Sequence, residues 1–254
     1  MTEPDHPQKA HFSGIFHRAS ETYDAVGVDF FAPLAAQLVA RADLAVGDSV
    51  LDLGCGRGAA LFAAADAVGP SGHVLGVDLA PGMVERTAHD VERHGLTQVR
   101  VQLGDADRPP VRDGGWDAVV ASFVLSTFDL PDDRWKVVEG AVAPFWPPTD
   151  EPEPSHPATK SHFSSTTAVE ELLAEAGFVD VDTLLVGHVT IYRDVQQWLD
   201  WTWSAGARVI WERVPETDLD AAQEAAYDVV SGLAEPDGTL REHFTVRLHR
   251  GVAP

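Results

Sequence analysis

The apolar residues of this chain change their spacing several times, and each change marks an element. From Phe16 to Ala42 they recur at helical intervals, with Phe30, Phe31, Leu34, Leu38 and Val39 forming a stripe. Ser49–Leu53 is then a short, mostly apolar run, the signature of a strand buried on both faces of a parallel sheet. A glycine cluster follows, and Ala59–Val68 reads as an alanine-rich helix stopped by Pro70-Ser71-Gly72. His73–Asp78 is a second strand, and Pro81–His94 a helix that proline suits in its first turn and Gly95 ends. Val99–Leu103 alternates as a third strand, and Trp116–Ser122 reads as a fourth.

Residues 1–13 are polar and proline-containing and are expected to fray. The stretch from Pro144 to Pro157 reads as a linker or surface loop. Ser164–Ala176 has helix start and stop signals, Phe178–Tyr192 alternates as a long strand, and Val195–Arg213 and Leu219–Leu233 are helical. Phe244–Leu248 supplies a last strand. Strands alternating with helices predict an α/β fold: a Rossmann-like, mostly parallel sheet with helices on both faces. The expected organisation is an N-terminal helical lid over residues 1–45 and a cofactor-binding core over 46–192 and 239–254. A helical cap over 193–238 is then inserted between the last two strands.

Composition narrows the partners. The 254 residues hold 40 acidic against 18 basic side chains, a net charge of −22, which repels nucleic acid and anionic membrane surfaces. No apolar run is long enough to span a bilayer, and the opening MTEPDHPQKAHF lacks the apolar core of a secretory signal. Cys55 is the only cysteine, which fits a reducing compartment, so the cytoplasm is expected.

The candidate chemistry lies at strand ends. Val50–Gly58 is a strand running into Gly54, Gly56 and Gly58 at a helix start, where the backbone can approach a ligand and free amides can receive an anion. Asp78 ends the second strand and can accept both hydroxyls of a ribose. Asp105, after the third strand, can take the exocyclic amine of an adenine, and Met83 can pack on that ring. Ser122 closes the fourth strand, on the edge where open α/β sheets bind ligands.

With these residues in this order, the chain closely resembles the class I S-adenosylmethionine-dependent methyltransferases, in particular the small-molecule branch of ubiquinone-biosynthesis-like and bacterial secondary-metabolite enzymes. The matching segments are Val50–Gly58, Val77-Asp78-Leu79, Gly104-Asp105-Ala106 and Trp116–Val119. The resemblance implies that Gly54, Gly56 and Gly58, with Cys55 between them, line the methionine moiety while Asp52 holds its amino group. Asp78 and Leu79 would then serve the ribose, and Asp105 and Ala106 the adenine. Phe16 and Tyr23 stand where relatives place a lid over the cofactor.

One departure stands out. Relatives carry a helix and a Leu-x-Pro-Gly-Gly type turn before strand five, whereas here Leu125 runs directly into Ser126. A parallel crossover needs about a dozen residues. The departure keeps open a non-catalytic S-adenosylmethionine or S-adenosylhomocysteine binder. A nicotinamide-dependent oxidoreductase is a weaker alternative, because the glycines read G-x-G-x-G and no Tyr-x-x-x-Lys occurs.

On the acceptor side, Trp198 and Trp201 share a helical face, and with Phe16 and Phe123 they are candidates to wall a small, flat acceptor. His11, His17 and His162 are the candidate bases, should the acceptor need one. No histidine–carboxylate spacing predicts a metal site.

Overall fold

The computed structural model describes residues 7–124, 134–148 and 165–254. Its centre is a four-stranded parallel sheet of β1 (Ser49–Leu53), β2 (His73–Asp78), β3 (Val99–Leu103) and β4 (Ala118–Val120), in the order β3-β2-β1-β4. The register sets Asp52 beside Val120 and Gly76, and Asp78 beside Leu103. The carboxyl ends of the strands therefore line up along one edge. Val50, Val74, Val99 and Val120 share a face and form one core with Leu61, Ala64 and Ala65 of α3 (Ala59–Val68) and with Ala35 and Val39 of α2 (Phe31–Arg41). Small alanines let α3 come close to the sheet. α4 (Pro81–Arg93) buries Met83, Thr87 and Val91, four residues apart each time, so a single stripe faces inward.

The helical reading of Phe16–Ala42 resolves into two helices. α1 (Pro7–Ala19) begins inside the segment expected to fray, and it buries Ile15 and Ala19. The chain then turns through Asp24 (φ 57°) and Gly27 (φ 72°) before α2 starts. Left-handed residues cannot continue a helix, which is why one stripe became two elements.

The later elements follow the same chemistry. α5 (Arg134–Val142) has no counterpart among the sequence expectations. α6 (Thr166–Glu175) is capped by Ser165, whose hydroxyl accepts the Ala168 amide at 3.1 Å. The expected helix Val195–Arg213 is two, α7 (Val195–Ser204) and α8 (Arg208–Glu212), broken around Gly206. α9 (Leu219–Ser231) follows. β5 (Val179–Tyr192) pairs antiparallel with β6 (Leu240–Val252), which is longer than the run Phe244–Leu248 expected. Among the described residues these two strands form a sheet of their own rather than extending the parallel one.

Packing groups Met1–Val124 with Asp200–Val209 in one compact unit, and Leu125–Leu199 with Ile210–Pro254 in another. This division cuts through α7 and differs from the expected limits at 45/46 and 192/193. The Leu125–Ser126 junction, most of the proline-rich stretch and His162 lie outside the described residues.

Candidate cofactor crevice

β1 delivers Asp52 to the middle of the sheet and then turns through Gly54 (φ 69°), Gly56 (φ 50°) and Gly58 (φ 89°) into α3. These left-handed angles favour glycine. A Cβ on Gly54 would also lie 2.3 Å from Val124, and one on Gly58 2.6 Å from Phe62. The turn is pinned to the next strand, with the Gly54 and Cys55 amides donating to the Val77 carbonyl at 2.7 and 3.0 Å.

Asp78 ties the turn to α4. One of its oxygens accepts the Gly56 amide and the other the Ala80 amide, both at 2.8 Å. Thr87 closes the loop by donating to the Gly56 carbonyl at 2.7 Å. Burial raises the Asp78 carboxyl above its usual range despite these amides.

Asp52 is the exception in this ordered set. It is 0% exposed, and among the described residues neither carboxylate oxygen makes a full hydrogen bond, the Leu61 amide being the one donor close enough to act on it. Burial first, and then the Asp78 charge, push its carboxyl up to about 8, with only the Leu61 amide pulling the other way. A buried carboxylate with so little donation is costly, and a cationic donor is what relieves it.

Cys55 packs its sulfur where a Cβ on Gly76 would come within 2.8 Å, and its thiol is pushed well above its ordinary value, chiefly by burial. Met83 is buried at the start of α4, and Leu79, Ala106 and Ser122 are half-buried.

Asp105 is engaged from an unexpected quarter. Lys9 of α1 sits 2.6 Å from its carboxylate and also pairs with Asp107. Burial works to raise the Asp105 carboxyl, but Lys9 and the Asp107 amide hold it below its usual value. α1 is fastened further along its length. Ser13 donates to the Leu79 carbonyl at 3.0 Å, and His17 Nδ1 accepts the Gly82 amide at 2.9 Å. The lone pair a base would need at Nδ1 of His17 is thus engaged in holding α4. His11 is exposed, its ring edge-on to Phe12.

Aromatic residues gather in the same compact unit. Tyr23 stacks on Phe31 at 5.0 Å and meets Phe16 at 6.2 Å, while Phe123 packs against both Phe30 and Phe31. Trp201 adds an edge contact to Phe30 at 5.7 Å. Tyr23 has its hydroxyl pushed upward by burial and by the Asp24 and Asp78 charges. Asp24 itself is pushed up to about 6 by burial and Asp29, against the pull of Arg57. Trp198 belongs to the other unit despite sharing a helical face with Trp201. It donates its indole N–H to the buried Glu242 at 3.1 Å, and Tyr192 donates to the same carboxylate at 2.7 Å.

Residues 50–142 match the model of a methyltransferase domain. Over 87% of this chain and 91% of the relative, the sequence is 34% identical to nocamycin O-methyltransferase of Saccharothrix syringae. The chain belongs to the S-adenosylmethionine-dependent methyltransferases. It is also 40% identical to aklanonic acid methyltransferase DauC of Streptomyces sp. (strain C5) over 128 residues, 50% of this chain and 57% of that one. Among solved structures, the YcgJ protein of Bacillus subtilis aligns with 86% of this chain and 97% of its own at 16% identity and a TM-score of 0.48.

The fold brings Asp52, Gly54, Cys55, Gly56, Gly58 and Asp78 together around the carboxyl ends of β1 and β2. Sequence reasoning missed Lys9, Ser13, Asp24 and Val124. Lys9 and Ser13 lie in a segment without apolar periodicity, and Asp24 and Val124 stand in no recognisable motif.

Proposed function

We propose that the enzyme methylates an oxygen of a small secondary metabolite, with S-adenosylmethionine bound across the carboxyl ends of β1, β2 and β3. The observation that carries this reading is Asp52, a fully buried carboxylate beside the glycine turn that has, among the described residues, only the Leu61 amide to stabilise its charge. The residues fit the group. An amino acid's ammonium supplies the donors Asp52 lacks, while the glycines leave the backbone clear for close approach. Each Asp78 oxygen keeps a second lone pair after accepting an amide, enough to take ribose hydroxyls. Asp105 is the acceptor for the adenine amine.

Bound there, the cofactor supplies a methyl group made electrophilic by its sulfonium. The chain's own contribution is alignment and exclusion of water for an in-line attack. Phe16, Tyr23, Phe31 and Phe123 form an apolar wall suited to that task and to a flat acceptor. The choice of oxygen rests on the name of the nocamycin relative.

Isothermal titration with S-adenosylmethionine, followed by a methyl-transfer assay over a panel of hydroxylated and carboxylated metabolites, tests the reading. Binding with turnover on an oxygen acceptor is expected. No binding at near-millimolar cofactor would remove it, and binding without transfer to any acceptor would favour a non-catalytic binder.

A further inference from the structure

α1 lies over the very strand ends that the proposed cofactor needs. Its fastenings run in order along the helix: Lys9 to Asp105 and Asp107 beyond β3, Ser13 to Leu79 beyond β2, and His17 to Gly82 in α4. Arg57 of the glycine turn then donates to the Ser20 carbonyl just past the helix end, at 2.8 Å. Three of these bonds leave the carboxylates of the ligand reading untouched. The Lys9 pair is different, because it takes the one carboxylate assigned to the adenine amine.

We propose that Lys9 is a competitor built into the chain: its ammonium holds the Asp105 carboxylate until the adenine end of the cofactor displaces it. This rests on the assignment of Asp105 given above. The local chemistry suits an exchange. Lys9 stands between two carboxylates, and the Asp107 amide donates to Asp105 at 3.0 Å, so the loop stays shaped when the ammonium leaves. The Lys9 side chain is 31% exposed, so the displaced ammonium can swing into water without a burial cost. Its remaining partner, Asp107, is 74% exposed and keeps the ammonium near the crevice. Cofactor affinity is then set partly by how firmly α1 is tied down, which makes Lys9 a positioning residue that acts through Asp105.

A plain strut would behave in the opposite way, since losing it should leave cofactor binding unchanged or weaker. The test is titration of S-adenosylmethionine into the wild type and the Lys9→Met, Lys9→Arg, Asp105→Asn and Lys9→Met/Asp105→Asn variants, at low and at high salt. Expected is an affinity gain of about threefold for Lys9→Met, the scale of a part-exposed ion pair. Lys9→Arg should match the wild type. The gain from Lys9→Met should shrink at high salt, which already loosens the pair in the wild type, and vanish in the Asp105→Asn background. Unchanged or weaker binding by Lys9→Met, with its melting curve intact, overturns this proposal alone. Absence of binding to every protein overturns it together with the cofactor assignment.

Discussion

At the scale of single residues, Asp52 carries the largest consequence. Its carboxyl keeps a proton up to about pH 8 in the folded chain, whereas the unfolded chain releases it near 3.8. The folded state therefore binds more protons between those limits, and stability falls as pH rises from about 4 towards about 8. The Asp52→Asn variant should melt higher than the wild type at pH 8 and show a flatter melting-temperature profile between pH 5 and 8. The same substitution should cost cofactor affinity about tenfold or more, the scale of a lost charge-assisted hydrogen bond. A cation drawn to Asp52 also favours its ionised form, so wild-type affinity should strengthen as pH approaches 8. Gly54→Ala tests the turn. It meets both a left-handed φ and the Val124 side chain, and chemical unfolding should show a loss of roughly 1–3 kcal/mol. These residues were legible in the sequence because strand, turn and acid lie within a few positions of one another. The partner of Asp105 was not, because Lys9 lies 96 positions away and nothing local announces it.

At the scale of elements, periodicity located nearly every helix and strand, and the misses share a cause. A stripe of apolar residues does not reveal a break made by backbone angles alone. Thus Asp24 and Gly27 divide the first helical stretch, and the second breaks around Gly206. The beginning of α1 was illegible for another reason. Much of its hold on the structure is polar, through Lys9, Ser13 and His17, and so leaves little hydrophobic trace. The seat of α1 on α4 depends on the missing side chain at Gly82, where a Cβ would lie 2.4 Å from the Ser20 hydroxyl and 2.9 Å from the His17 carbonyl. Gly82→Ala should therefore lift α1, and hydrogen exchange of residues 7–19 should quicken about tenfold or more while the parallel strands stay protected. In the second sheet, Glu242 of β6 holds both Tyr192 and Trp198. Glu242→Ala removes an acceptor from two buried donors, and urea unfolding should register a loss of about 2–4 kcal/mol, with Glu242→Gln losing less.

At the scale of the whole molecule, the net charge of −22 is a distributed repulsion that salt screens. Raising sodium chloride from about 20 to about 300 mM should raise the melting temperature by a few degrees, and Lys9→Met should not remove that response. The family was legible because its motifs occupy one continuous stretch, residues 50–142. The pairing of β5 with β6 alone was not, since alternation marks a strand without naming its neighbour. The solitary sulfhydryl lends the molecule a practical property. Cys55, walled in against Gly76 and held in its neutral form, gives maleimide reagents almost nothing to attack. A cysteine engineered onto the outer side of α1 would then be the one place a fluorophore attaches, so the first helix could be watched in real time without altering any native residue of the crevice.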